Sequence, residues 1–231
     1  MIEKILPSGA AVAEAFSDLP DAVLLPEEEA LTRGFVEKRR KEFTTARHCA
    51  RQALGSLGIG PVPILKGERG SPVWPAETVG SLTHCTGYRA ASVARRAQVL
   101  SIGIDAEENA RLPGDVHQSI ALAAEQWRGR VLDLEHPGVH WDRLLFCAKE
   151  AVYKAWFPLT RRWLGFEEAD IELRPDGSFT AQLLAEDLGT ADGPPGSTVP
   201  PRLHGRWLSE QGLLLTAVVV GNPVHGGSRT L

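Results

Sequence analysis

Two turn signals constrain this chain more than any other feature. Pro175-Asp176-Gly177 separates apolar runs at 171–173 and 178–183, and Glu210-Gln211-Gly212 separates runs at 206–209 and 213–220. Short glycine-containing links between such runs join antiparallel neighbours. Further strand patterns lie at 79–84, 90–94 and 99–105. Helical patterns sit between them. Pro26 followed by Glu27, Glu28 and Glu29 marks a helix start, since proline suits the first turn and acids suit the positive end of the dipole. That helix is expected to reach Leu54, with a break near Thr44 and Thr45, and to stop at Gly55 and Gly58. Two more are expected over 119–130 and 143–157. The stretches 61–75 and 186–201 read as Gly/Pro loops, and 222–231 as a loose tail. The fold class is therefore α+β, with helices and antiparallel strands in each half.

Composition narrows the function classes. The 231 residues are 43% hydrophobic and 23% charged, enough apolar material for a core and one or two domains. A net charge of -4 argues against a general nucleic-acid binder. Cys49, Cys85 and Cys147 have neither zinc-ligand nor redox spacing, so three reduced thiols in a cytoplasmic protein are expected. The first sixteen residues lack the apolar core of a secretory signal, and no run approaches the roughly 20 apolar residues of a membrane span.

Five segments carry candidate chemistry. In Ile102-Gly103-Ile104-Asp105-Ala106-Glu107, the i, i+2 spacing puts Asp105 and Glu107 on one face of a strand. Paired hard carboxylates suit Mg²⁺; they also suit a strand ending in solvated acids. In the run from Phe146 to Trp156, Leu145, Ala148, Val152, Ala155 and Trp156 share a helix face, while Glu150 and Lys154 lie opposite as an i, i+4 pair. Phe146 and Phe157 flank Glu150, so that side is not simply solvent-facing. A metal ligand and a surface ion pair both fit. Residues 33–51 hold seven Lys and Arg against two Glu. On one continuous helix Arg40, Arg47 and Arg51 would share a face, as phosphate contacts or as a solvated surface. The loop from Lys66 to Pro75 has glycines for close backbone approach but lacks the Gly-Lys-Ser/Thr ending of a P-loop. Ser81-Leu82-Thr83-His84-Cys85 places a histidine at a strand end.

In this order the segments resemble the Sfp-type 4′-phosphopantetheinyl transferases, in the bacterial branch similar to the enterobactin-type and mycobacterial-type enzymes. Gly70-Ser71-Pro72-Val73-Trp74-Pro75, Ser81 to Cys85, Ile102 to Glu107 and Phe146 to Ala155 carry the match, which the basic helix extends back to about Arg39. The resemblance implies two similar halves, 1–105 and 106–231, related by a pseudo-twofold axis with the site at their interface. It implies transfer of 4′-phosphopantetheine from coenzyme A to a serine of an apo acyl or peptidyl carrier protein, releasing adenosine 3′,5′-bisphosphate. Asp105, Glu107 and Glu150 match the ligands of Mg²⁺, for which Mn²⁺ can substitute. Lys154 matches the lysine at the diphosphate, as charge or proton donor, and Glu150, directly or through a metal-bound water, is the candidate base. His84 matches the histidine near the 3′-phosphate. Arg39, Arg47 and Lys66 match further nucleotide contacts, with Thr83 and Lys149 inside matched motifs. Arg40 and Arg51 stand as substitutes, and Glu125 as an additional acid. A monomer is expected, with Trp127 and Arg128 as the candidate carrier-docking patch. The alternative is a coenzyme A-binding protein without transferase activity; a nucleic-acid module built on the 33–51 run is disfavoured by the net charge.

Overall fold

The computed structural model describes residues 1–191 and 198–221. It contains ten strands: β1 (Ala11–Ala15), β2 (Leu65–Lys66), β3 (Pro72–Val73), β4 (Thr78–Cys85), β5 (Tyr88–Arg95), β6 (Val99–Glu108), β7 (Ala169–Leu173), β8 (Ser178–Leu183), β9 (Arg202–Glu210) and β10 (Leu213–Gly221). Five α-helices accompany them: α1 (Pro26–Glu29), α2 (Glu37–Ser56), α3 (Gly114–Ile120), α4 (Ala123–Glu135) and α5 (Trp141–Thr160). Three strands form one antiparallel sheet in the order β1-β5-β4, and five form another in the order β6-β10-β9-β8-β7. The α+β class is the one observed. Strands β2 and β3 make a small separate ribbon inside the expected 61–75 loop.

Both expected hairpins form. Gly177 has φ +82°, and Gln211 and Gly212 both adopt positive φ, as a tight hairpin turn requires. Residues 222–231, read as a tail, lie outside the described residues.

Three core clusters hold the layers together. Ala50, Ala53 and Leu54 of α2 pack on Ala91 and Val93 of β5. Ala148, Val152 and Trp156 of α5 pack on Leu214 and Val218 of β10. Between them, Tyr88, Ala90 and Ala94 of the first sheet meet Ile102, Ile104, Ala106 and Leu215 of the second. This middle core makes the two sheets one body. Its period-2 consequence is decisive for the site: Ile102, Ile104 and Ala106 face the core, so Gly103, Asp105 and Glu107 are presented on the other face, toward α5. A Cβ at Gly103 would stand 1.9 Å from the Ala151 carbonyl oxygen and 2.6 Å from the Ala155 nitrogen. Helix α5 therefore rests on bare strand backbone, which brings Glu150 and Lys154 alongside Asp105.

Several boundaries differ from expectation, each for a local reason. The first helical region breaks at 33–36, where Gly34 takes φ +84°, and not at Thr44 and Thr45. Thr44 is satisfied within α2 by donating to the Arg40 carbonyl, and Thr45 accepts the Leu19 amide. The 119–130 helix is two helices, because Glu125 caps the Leu122 amide and starts α4 afresh. Helix α5 runs through Pro158 to Thr160, since a proline in the last turn removes a single helical bond, and it ends where Arg161 turns left-handed. Strand β1 has no counterpart in the sequence reading; its alanines become a strand by pairing with β5.

Candidate active site

Lys154 links the two sheets. Its ammonium donates to Asp105 Oδ1 at 2.6 Å, to the Ile104 carbonyl of β6 at 3.2 Å and to the Leu82 carbonyl of β4 at 3.3 Å. Thr83 Oγ1 donates to the same Asp105 oxygen at 3.1 Å, and Ser81 Oγ accepts the Ile104 amide. Asp105 is buried, yet its second oxygen, Oδ2, has no partner. Glu150 is half-buried one helical turn before Lys154. Burial and the neighbouring Asp105 push its carboxyl above the usual carboxylate range, against the opposing pull of Lys154. Burial and Asp105 do the same to Glu107, while Arg143 at 3.0 Å opposes them. For Lys154, burial alone would lower the pKa; Asp105 and Glu150 together carry it above the ordinary lysine value.

Three acids thus face two fixed cations, and a buried oxygen lacks a donor. That donor set fits a hard divalent cation. Among the described residues, no group of three or more His, Cys, Asp or Glu is drawn together closely enough to hold an ion. A cation here would accordingly rely on a few carboxylate oxygens and on oxygens from a ligand.

The ligand space is a cavity of about 680 Å³ that runs from Glu150 and Lys154 along β4 to α2. Arg39, Arg47, Lys66, Arg69, Arg96, Lys154 and Arg161 line it, against Glu77 and Glu150. In a chain of net charge -4, this is a concentrated positive field suited to phosphates. Arg47 is buried, donates to the Ile64 carbonyl at 2.7 Å and stacks over Phe43; burial lowers its guanidinium to about 10. Arg39 donates to His84 Nε2, and Glu42 lies 3.6 Å from Arg39 and 3.8 Å from His84. Burial and Arg39 lower His84 to about 4, so the imidazole is neutral near pH 7.

The structure therefore pairs Asp105 with Lys154, sets Glu107 and Glu150 each near enough to feel Asp105, and places Arg39, Arg47, Lys66, Thr83 and His84 along one cavity. Thr83 lines it but spends its hydroxyl on Asp105. Lys149 is a correction. Its ammonium is turned to the other side of α5, bound to Glu125 at 2.9 Å and to the carbonyls of Phe166 and Ala169. Adjacent helix residues point about 100° apart, so Lys149 cannot follow Glu150 into the cleft. Glu125 is likewise spent on Lys149, not an additional site acid. Arg51 does not serve as a substitute phosphate contact, because it pairs with the buried Glu28 at 2.6 Å, and Arg40 is exposed away from the cavity. Arg128 is engaged by Asp170 and the Ile171 carbonyl, which leaves only Trp127 of the docking patch exposed. The cysteines are free, as expected.

Sequence reasoning missed Glu42, Arg96 and Arg161. None lies in a recognisable motif. Arg161 reaches the cavity only because α5 continues past Pro158.

Comparison with known proteins identifies the family. Residues 27–94 match the 4′-phosphopantetheinyl transferase N-terminal domain, and residues 101–193 match the 4′-phosphopantetheinyl transferase superfamily. The chain is 51% identical to 4′-phosphopantetheinyl transferase PptT of Mycobacterium tuberculosis, over 95% of this chain and 98% of that one. It is 50% identical to 4′-phosphopantetheinyl transferase Npt of Nocardia iowensis, over 94% and 99%. It is 48% identical to 4′-phosphopantetheinyl transferase Svp of Streptomyces mobaraensis, over 96% and 90%. With both family patterns in chain order and such relatives along nearly its whole length, the chain belongs to the 4′-phosphopantetheinyl transferase superfamily.

Proposed function

We propose that this enzyme transfers 4′-phosphopantetheine from coenzyme A to a serine hydroxyl of an apo carrier protein, with adenosine 3′,5′-bisphosphate as the other product. The observation that carries the reading is the Lys154–Asp105 contact beside Glu150, at the end of a cavity lined by basic residues. In this reading Arg39, Arg47, Lys66 and neutral His84 hold the nucleotide and its phosphates, and the diphosphate lies at Lys154. Asp105 and Glu150, with Glu107 beside them, would hold Mg²⁺ or Mn²⁺. Such an ion, when bound, offsets the charge that grows on the diphosphate oxygens.

The protein groups have separate tasks. Lys154 keeps its proton, because two carboxylates raise its pKa, so it acts as a fixed positive charge at the leaving oxygen. Glu150, beside Lys154 at the end of the cavity, is the base for the serine proton in this reading. The two-half organisation belongs to the same reading, with the boundary at the head of β6 and not at 105, since β6 pairs with β10 along its whole length. Among the described residues no helix is long and apolar enough to cross a membrane. The cytoplasm is the proposed location.

The test is intact-protein mass spectrometry of an apo carrier incubated with the enzyme, coenzyme A and Mg²⁺, beside an EDTA control. A metal-dependent gain of one phosphopantetheinyl group is expected. No gain across acyl, peptidyl and aryl carriers, from protein shown to bind coenzyme A, would instead leave a binding protein without transferase activity.

A further inference from the structure

Arg143, in the first turn of α5, is held by three acceptors. Its Nη1 donates to Glu107 Oε2 at 3.0 Å, its Nε to the Ala110 carbonyl at 3.0 Å and its Nη2 to the Arg111 carbonyl at 3.3 Å. The preceding residue, Asp142, accepts the Leu112 amide at 3.0 Å. The first turn of α5 therefore grips the chain from Glu107 to Leu112, and a planar guanidinium with three bonds has one orientation. Glu107 Oε1 has no protein donor among the described residues. Arg143 thus binds one oxygen of Glu107 and leaves the other available, at the far end of an acidic row whose near end, Asp105, is held by Lys154 in the same manner. The two carbonyl bonds fix the guanidinium, and the third donor is the one that reaches the acid.

We propose that Arg143 is a positioning residue for the divalent ion: by holding Glu107 through Oε2 it fixes which oxygen of that carboxylate is offered to the ion, and so sets the ion affinity of the site. This rests on the reading that Asp105, Glu107 and Glu150 hold the ion. Partners that orient metal ligands typically cost 10–100-fold in affinity when removed.

The experiment measures Mn²⁺ binding by electron paramagnetic resonance of the free ion, on full-length protein with coenzyme A present. Four proteins are compared: wild type, Arg143→Ala, Glu107→Gln and the double variant. Arg143→Ala should weaken Mn²⁺ about tenfold. In the Glu107→Gln background the same change should do little, because the oriented carboxylate is already gone. Arg143→Lys keeps the charge but loses the fork, and should fall between wild type and Arg143→Ala; it serves alone if the alanine variant does not fold. Unchanged Mn²⁺ affinity in Arg143→Ala overturns the proposal. So does an equal loss in both backgrounds, which would place the effect in the Ala110 and Arg111 carbonyl bonds. If wild type itself binds no Mn²⁺, the metal reading fails and takes the proposal with it, a result distinct from wild-type binding that Arg143 does not alter.

Discussion

Helix α5 carries two lysines five residues apart, and each makes a short ion pair with three acceptors in all. Lys149 joins Glu125 and two carbonyls; Lys154 joins Asp105 and two carbonyls. The pairs differ in what surrounds the acid. Glu125 has both oxygens occupied, since Ile171 N and Leu122 N donate to it at 2.7 Å each. Asp105 has one buried oxygen without a donor and a second acid, Glu150, at its side. The titration directions follow. Burial pushes Lys149 down and Glu125 up, toward neutrality, as in a closed pair whose charges are costly. Lys154 is pushed up, because the negative charge around it exceeds its own. A finished ion pair supports the fold, whereas one with surplus charge and an empty lone pair is prepared for something to arrive.

The sharpest way to break that comparison is to remove each lysine. Lys154→Ala, or Asp105→Ala, should lower carrier modification about 10³-fold, the scale of losing a preorganised electrostatic group, while circular dichroism stays unchanged. Wild-type turnover in either folded variant would end the assignment. Removing one partner of the other pair should act on stability: Lys149→Ala or Glu125→Ala should cost about 3–5 kcal/mol in urea unfolding, because a buried charge is left alone. The apolar pair Lys149→Met with Glu125→Leu should recover only part of that loss, because the Leu122 and Ile171 amides lose their acceptor. Residual activity per folded molecule should survive it. If Lys149→Met/Glu125→Leu were stable but inactive, the two lysines would not differ in kind.

What the sequence could reveal divides along the same line. The period of a strand and the i, i+4 spacing of a helix are local, and they suffice to pair Asp105 with Glu107 and Glu150 with Lys154. Meeting across 45 residues depends on Gly103 lying under Ala151, which no local pattern announces. Arg51 and Lys149 were misplaced because their partners, Glu28 and Glu125, are set by tertiary packing. Both are distant in sequence and both stand in helix starts that look solvated. Thr83 and His84 are neighbours on β4, and strand alternation sends one to Asp105 and the other to Arg39, partners that the motif alone does not show. The hairpins were legible because their turns require positive φ at residues the sequence supplies.

Gly103→Ala sharpens the comparison from the backbone side. Its Cβ would meet the helix carbonyl of Ala151, which is main chain and cannot rotate away. Helix α5 must lift, at about 1–3 kcal/mol for an overpacked contact. Both lysines ride on α5, yet only Lys154 reaches across to β4 and β6. Transfer activity should therefore fall further than stability predicts, while Lys149, which bonds to the segment after its own helix, keeps its partners. A crystal structure of the variant with α5 unmoved would remove Gly103 from the account.

The smallest effect concerns pH. His84 sits beside Arg39, and its pKa of about 4 lies below the ordinary histidine value of 6.5. Between those limits the unfolded chain binds a proton that the folded site refuses, so stability rises with pH across the window and is lost as pH falls through it. Above 6.5 both states are neutral at this residue and the contribution is constant. His84→Gln should therefore flatten the dependence of the urea midpoint on pH between 4 and 6.5 and leave it unchanged above. Coenzyme A should counteract the wild-type slope, because a phosphate near the imidazole favours the protonated form that Arg39 opposes. His84→Ala should raise the coenzyme A KM more than it lowers kcat, since the proposed contact of His84 is with the nucleotide. An unchanged KM, or a pH slope that coenzyme A does not touch, would separate His84 from the nucleotide and leave it, like Lys149, a part of the fold.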